Sequence, residues 1–178
     1  MDVKTIILGF LYYGEMSGYD IKQAFSNNIG YFYDASYGAI YPALRKMEQD
    51  GYVTKREIVQ SGKPNKILYS ITEEGKRLFH TEINTPIQPA MLRSNMLVKL
   101  FFGGLRSAEE RNNLIEDGVL YQQKVYDQSK KKFKEIENEL DEYQTLCWEY
   151  TLDLLKYNIQ FLEKNRDRIK NGGQKVSQ

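Results

Sequence analysis

The chain predicts a mainly helical fold with one small β-hairpin, divided into an N-terminal and a C-terminal part. Three observations carry this. Apolar residues recur three and four apart through most of the 178 residues, the spacing of a helix with one buried stripe. One pair of β-prone runs, residues 52–60 and 66–71, is separated by the turn-forming residues 61–65. The last long helical stretch, residues 143–169, carries two apolar seams instead of one.

Composition bounds the rest. A hydrophobic fraction of 41% with 28% charged residues fits a globular chain with a modest core. Basic and acidic residues number 25 and 24, so a polyanionic partner has to be met by local charge and not by a global field. The apolar run at residues 5–13 is too short to cross a bilayer and has no basic leader or cleavage site, so a cytoplasmic protein without a membrane partner is expected. A single cysteine, Cys147, excludes an internal disulfide, and the single histidine, His80, leaves no cluster with zinc-ligand spacing. Neither a metal nor a cofactor is expected. No paired nucleophile and base and no phosphate loop points to an enzyme.

Residues 5–13 are apolar nearly all round and predict a helix at the centre of the first part. Ser17 and Asp20 form a capping-box-like start for a second helix carrying Ile21, Ala24 and Phe25, ended by Asn27, Asn28 and Gly30. Residues 31–35 are aromatic and read as a connector docked on the core. A third helix runs from a Ser36 cap to a stop at Gly51, with Ile40, Leu44 and Met47 on one face. Pro42 collides with the carbonyl four residues back. That residue is Gly38, so the first turn is expected to be loose and the regular part to start near Tyr41. Tyr37, Tyr41 and Arg45 project together from the opposite face. The hairpin carries Lys55, Arg56, Lys63 and Lys66 against Glu57 alone, a local basic patch. Thr72 caps a further helix with acids in its first turn, on which His80 is expected at the surface.

Three helices followed by a basic two-stranded hairpin predict a winged helix-turn-helix, in which the last helix enters the major groove and the hairpin touches flanking backbone. At this point residues 5–79 resemble the PadR family of bacterial transcriptional regulators. The resemblance rests on Leu8, Gly14, Gly18-Tyr19-Asp20-Ile21, and Tyr37-Gly38-Ala39-Ile40-Tyr41-Pro42-Ala43-Leu44. It continues through Glu48, Gly51, Gly62-Lys63-Pro64-Asn65-Lys66, Tyr69, Thr72 and Gly75. Met47 stands where the family more often has leucine, a volume-conserving change.

Pro86 and Pro89 mark the hinge between a DNA-binding domain, residues 1–85, and a helical domain, residues 86–178. Residues 91–102 predict a helix stopped by Gly103 and Gly104, and its sequence resembles the C-terminal domain of the longer PadR subfamily. Ser107 and Glu110 form a capping box for a long helix carrying Leu114, Tyr121, Val125, Phe133, Ile136 and Leu140, with a solvated lysine run at 130–132. In the last helix, Tyr143, Cys147, Tyr150, Leu154, Tyr157 and Phe161 form one seam, and Trp148, Leu152, Leu155, Ile159, Leu162 and Ile169 the other. Projection at 3.6 residues per turn sets the seams roughly 130° apart. Two seams require two partners. The preceding helices supply one, and a second copy of the chain is the simplest other, so an antiparallel helical dimerisation domain is expected.

The candidate DNA contacts are Ser36, Tyr37, Tyr41, Arg45, Lys63, Asn65 and Lys66. Tyr143, Tyr150, Leu154, Tyr157, Phe161, Leu155 and Ile159 are the candidates for dimerisation. Trp148 is core or a ligand platform, with core the commoner role, and Gln144, Thr151 and Asn158 either bond across a dimer or line a pocket. Cys147 on a seam reads as a small hydrophobe. The resemblance implies a homodimeric repressor of a palindromic double-stranded operator, released by a small aromatic effector, with Trp148, Gln144 and Thr151 as the effector candidates. The alternative is a winged-helix module that binds proteins or sequesters ligands without DNA.

Overall fold

Helix α1 (Val3–Tyr12) begins where the carboxylate of Asp2 accepts the Thr5 N–H at 3.0 Å, and it buries Ile7, Leu8 and Leu11. The computed structural model describes residues 2–30, 33, 37–59, 65–87 and 94–172, with Tyr37 described by its backbone. The chain divides into two units, Met1–Pro89 and Ala90–Gln178.

In the first unit, strand β1 (Met16–Ser17) leads directly into α2 (Gly18–Ala24). The capping box is complete: Ser17 Oγ accepts the Asp20 N–H at 3.2 Å, and an Asp20 carboxylate oxygen accepts the Ser17 N–H at 3.0 Å. The helix passes into one π turn, Phe25–Ile29, before Gly30. A 3-10 turn, Tyr37–Ala39, precedes α3 (Ile40–Gln49), so the first turn is not α-helical and regular geometry begins beside Tyr41, as the proline requires. Gly51 closes α3 with φ of 79°, the left-handed conformation that glycine adopts without steric cost.

Strands β2 (Val53–Ile58) and β3 (Lys66–Ile71) pair antiparallel with Val53 opposite Ile71 and Ile58 opposite Lys66. The sheet has three strands, not the two the sequence predicts, because Met16 and Ser17 pair with Tyr69 and Leu68 and give the order β1-β3-β2. A two-residue strand has no length over which to display alternation, and its second residue is already the cap of α2. Helix α4 (Glu73–Ile83) starts at the Thr72 cap. Ile7, Leu8, Leu11, Ile21, Phe25, Ile40, Leu44, Met47, Val53 and Tyr69 form one core.

The second unit holds α5 (Asn95–Phe101), a 3-10 turn at Gly103–Leu105, and α6 (Ala108–Ile136), which opens on the complete Ser107–Glu110 capping box. Residues 91–93 lie outside the described residues. Helix α7 (Glu142–Lys164) runs antiparallel to α6. Trp148 stacks on Phe133 with centroids 5.9 Å apart, while a Cβ at Gly118 would meet Leu162 at 3.0 Å, so rising numbers on one helix face falling numbers on the other. The continuous last helix expected from sequence is broken at Asn165, whose Nδ2 donates to the Phe161 carbonyl at 2.8 Å, and the chain resumes as α8 (Arg166–Asn171). Arg166 pairs with Glu116, and Arg111 Nε donates to the Lys170 carbonyl at 3.1 Å, so α8 is tied to α6.

The two seams of α7 have separate fates. Trp148 (3% exposed), Ile159 (8%) and Leu162 (0%) are buried. Tyr143, Tyr150 (69% exposed), Leu154 and Tyr157 (61%) face outward. Ile159 is therefore spent inside its own unit and unavailable to a second copy, and Leu155 beside it is half-buried. On α6, Leu114 is buried as expected, but Tyr121 is exposed, and Ile115 and Ser129 take the interior positions.

Replacing Leu44 by alanine removes a fully buried side chain, and is expected to lower the stability of the first unit by about 2–5 kcal/mol. Denaturant unfolding followed by circular dichroism measures this. A loss below 0.5 kcal/mol would contradict the packing described.

Candidate nucleic-acid interface

Burial of Ile40, Leu44 and Met47 sets the rotation of α3 about its axis. Positions 41 and 45 each follow a buried residue by about 100° of helical turn, and both side chains are exposed, Tyr41 by 49%. Tyr41 and Arg45 lie one turn apart on the outer face. Arg45 carries no hydrogen bond or ion pair to another described residue, and its charge opposes that of neighbouring Lys55. Ser36 and Lys63 lie outside the described residues, and Tyr37 contributes its backbone to the turn before α3.

The ring of Tyr41 is not free on both sides. A Cβ built on Gly18 would stand 2.6 Å from Tyr41 Cε1, 3.1 Å from Cζ and 3.3 Å from Cδ1, so the ring edge lies against the backbone of α2 at its first residue. No pattern in the sequence pairs residues 18 and 41.

The expected unopposed basic patch is corrected by the structure. Lys55 pairs with Glu48 at 2.9 Å, Lys66 with Asp20 at 3.0 Å and Arg56 with Glu15, while Asn65 Nδ2 donates to Glu57 Oε1 at 2.8 Å. The balancing carboxylates come from α2, α3 and the segment before β1, which a count along the hairpin cannot see. Such pairs hold the cations in place without consuming them. An exposed ion pair contributes on the order of 0–1 kcal/mol, so the partners of Lys55 and Lys66 are weakly held.

Two of these carboxylates, Glu15 and Asp20, are drawn below their ordinary values. Glu15 accepts from Arg56 and then from Ser70, with the Arg56 charge adding to these, and its carboxyl is held down at about 2. For Asp20, partial desolvation opposes the charge, but hydrogen bonds from the Ser17 backbone and Lys66 outweigh it and draw the carboxyl below its ordinary value.

In the second unit the three effector candidates have intramolecular roles. Trp148 stacks in the α6–α7 core, Thr151 Oγ1 donates to the Cys147 carbonyl at 2.8 Å, and Gln144 Oε1 accepts the Asp141 N–H at 3.1 Å in a helix cap. A cavity of about 410 Å³ lies elsewhere, between apolar Leu100, Leu114, Phe161 and Ile169 with Arg111 and Arg168 at its wall. Among the described residues no cluster of histidine, cysteine, aspartate and glutamate is arranged to hold a metal ion, and no helix is long and apolar enough to cross a membrane.

A three-helix core with an antiparallel wing, presenting one helix face beside it, defines a winged helix-turn-helix protein. Residues 7–81 match the model of the transcriptional regulator PadR-like family. The chain is 35% identical over 117 residues to the negative transcriptional regulator PadR of Bacillus subtilis, a match covering 65% of this chain and 64% of that one. The chain matches somewhat under two thirds of that relative's length. Over the whole fold it is similar to the crystal structure of smu.1604c from Streptococcus mutans, at 33% identity with a TM-score of 0.83, covering 94% of this chain and 99% of the other. It is also similar to Bacillus subtilis PadR solved with operator DNA (27% identity, TM-score 0.84, 94% and 98% covered). The same protein solved with p-coumaric acid matches at 25% identity and a TM-score of 0.78, with 95% and 99% covered. Residues 7–81 are a PadR-like family domain.

Because the Glu15 carboxyl is depressed from 4.5 to about 2, its stabilising contribution is complete above pH 4.5 and fades as pH falls toward 2. Glu15→Gln is therefore expected to be less stable than wild type near neutral pH, the gap closing as pH drops through that window. Denaturant unfolding across pH checks this, and a pH-independent gap would refute it.

Proposed function

We propose that the chain is a DNA-binding transcriptional repressor, not an enzyme, that reads a palindromic operator as a homodimer in the cytoplasm. The observation that carries the reading is the outward face of α3, Tyr41 with unpaired Arg45, beside the weakly held wing cations Lys55 and Lys66. Tyr37, Ser36, Lys63 and Asn65 complete the proposed contact set. The Bacillus subtilis relative solved on operator DNA supports carrying this face to a duplex.

The second copy is the proposed cover for the outer seam of α7, Tyr143, Tyr150, Leu154, Tyr157 and Phe161. Monomers rarely leave a contiguous apolar patch of this kind in water. Release by a small aromatic acid is proposed from the p-coumaric acid complex of the relative. In this chain the cavity beside Phe161 has apolar walls with Arg111 and Arg168 among its lining residues, a composition suited to a ring bearing a carboxylate, although the Arg111 guanidinium already donates to the Lys170 and Arg106 carbonyls.

A duplex selected from a random library by the wild-type protein supplies the probe. Tyr41→Ala is expected to weaken its binding by at least about tenfold while sedimentation still reports a dimer, and unchanged affinity would remove α3 as the reader. Lys66→Ala is expected to lower the slope of log affinity against log salt by about 1, the share of one phosphate contact. A winged-helix module without DNA would select no duplex at all. Tyr157→Glu places a charge in the seam and is expected to sediment as a folded monomer with weakened operator binding; a dimer would refute the interface.

A further inference from the structure

We infer that Gly18 is a positioning residue for DNA reading: it is glycine so that the Tyr41 ring can lie against the first turn of α2. The inference rests on the reading of Tyr41 as a DNA contact. Gly18 is buried, and the three atoms nearest to a Cβ placed there all belong to the Tyr41 ring, the closest at 2.6 Å. Its backbone makes no demand for glycine, since among the described residues only Gly14 and Gly51 have positive φ. What excludes a side chain at position 18 is therefore the tyrosine ring and not the turn.

The platform itself is held still. Ser17 and Asp20 close hydrogen bonds across Gly18 in both directions, and the Asp20 carboxylate is also held by Lys66 at 3.0 Å. Core residue Ile21 follows at once and is fully buried. On the other side, α3 is anchored by Ile40 and Leu44, both fully buried. Between two fixed backbones the half-exposed ring is the part that yields. Ordinary carbon–carbon contact lies near 3.5–4.0 Å, so a methyl group at position 18 moves the ring edge outward by about 1 Å. The phenol oxygen moves with it, out of the place from which it would meet the duplex.

Gly18→Ala is therefore expected to fold, to remain dimeric, and to bind the selected operator roughly 5- to 100-fold more weakly, the range that one base contact commands. The double variant Gly18→Ala/Tyr41→Ala is expected to bind no more weakly than Tyr41→Ala, because without the ring the methyl group displaces nothing. Four measurements by fluorescence anisotropy, on wild type, each single variant and the double, decide the matter at a salt concentration where Tyr41→Ala binding is still measurable. Wild-type affinity in Gly18→Ala, with Tyr41→Ala impaired, overturns the positioning role and leaves the reading of Tyr41 standing. Losses that add fully in the double variant also overturn it, since Gly18 then acts apart from Tyr41. Wild-type affinity in Tyr41→Ala overturns the reading and the inference together. If Gly18→Ala fails to fold, folding of the double variant supports the contact, and failure of both overturns it.

Discussion

The burial of Ile40, Leu44 and Met47 is the constraint from which the first unit's outer surface follows. Three side chains on one stripe leave α3 a single rotation about its axis, because turning it would lift apolar surface into water at about 25 cal/mol per Å². Once that rotation is set, Tyr41 and Arg45 have to face outward, and the contact with Gly18 then fixes where the Tyr41 ring lies. The 3-10 turn before α3 serves the same end. It accommodates Pro42 without bending the α-helical part that carries the stripe.

Charge on this surface is arranged differently from what a net count suggests. Each described cation of the wing is answered by a carboxylate from another element, Glu48 from α3, Asp20 from α2 and Glu15 from the segment before β1. Pairs this exposed add little to stability, but they restrict where long side chains point before a partner arrives. The described part of the wing is thus nearly neutral at rest, and under the proposed reading a phosphate backbone would exchange one weak anion partner for another. Arg45 is the contrast. It stands beside Lys55 with no carboxylate of its own.

Features that depend on short-range pattern were readable from the chain. The capping boxes at Ser17 and Ser107, the loose entry to α3, the stop at Gly51 and the two seams of α7 each follow from residues within about a turn of one another. Features that depend on distant residues meeting were not. Strand β1 is defined only by its partner β3, the ion pairs of the wing join residues up to 46 positions apart, and the contact of Gly18 with Tyr41 has no periodicity to announce it. The break at Asn165 was hidden for a different reason. The apolar pattern resumes at Ile169 in phase, while the interruption comes from a side-chain amide turning back to the Phe161 carbonyl.

The same distinction bears on the C-terminal unit, where pattern identified two apolar seams but not which was already occupied. Packing against α6 accounts for Trp148, Ile159 and Leu162, and the stacked Phe133 shows that this interface is filled by the chain itself. Tyr143, Tyr150, Leu154 and Tyr157 of the other seam are then left exposed among the described residues of this unit. A recognition helix gains only about 1–3 kcal/mol of discrimination from each good base contact, and α3 presents few side chains with which to make them. If the duplex is read at two half-sites, the spacing between two copies of Tyr41 is set by how two α7 seams meet. Under the proposed reading, the energetic demand for a second reader and the exposed seam would be answered by the same event, association of two chains, although they lie in different units and share no residue.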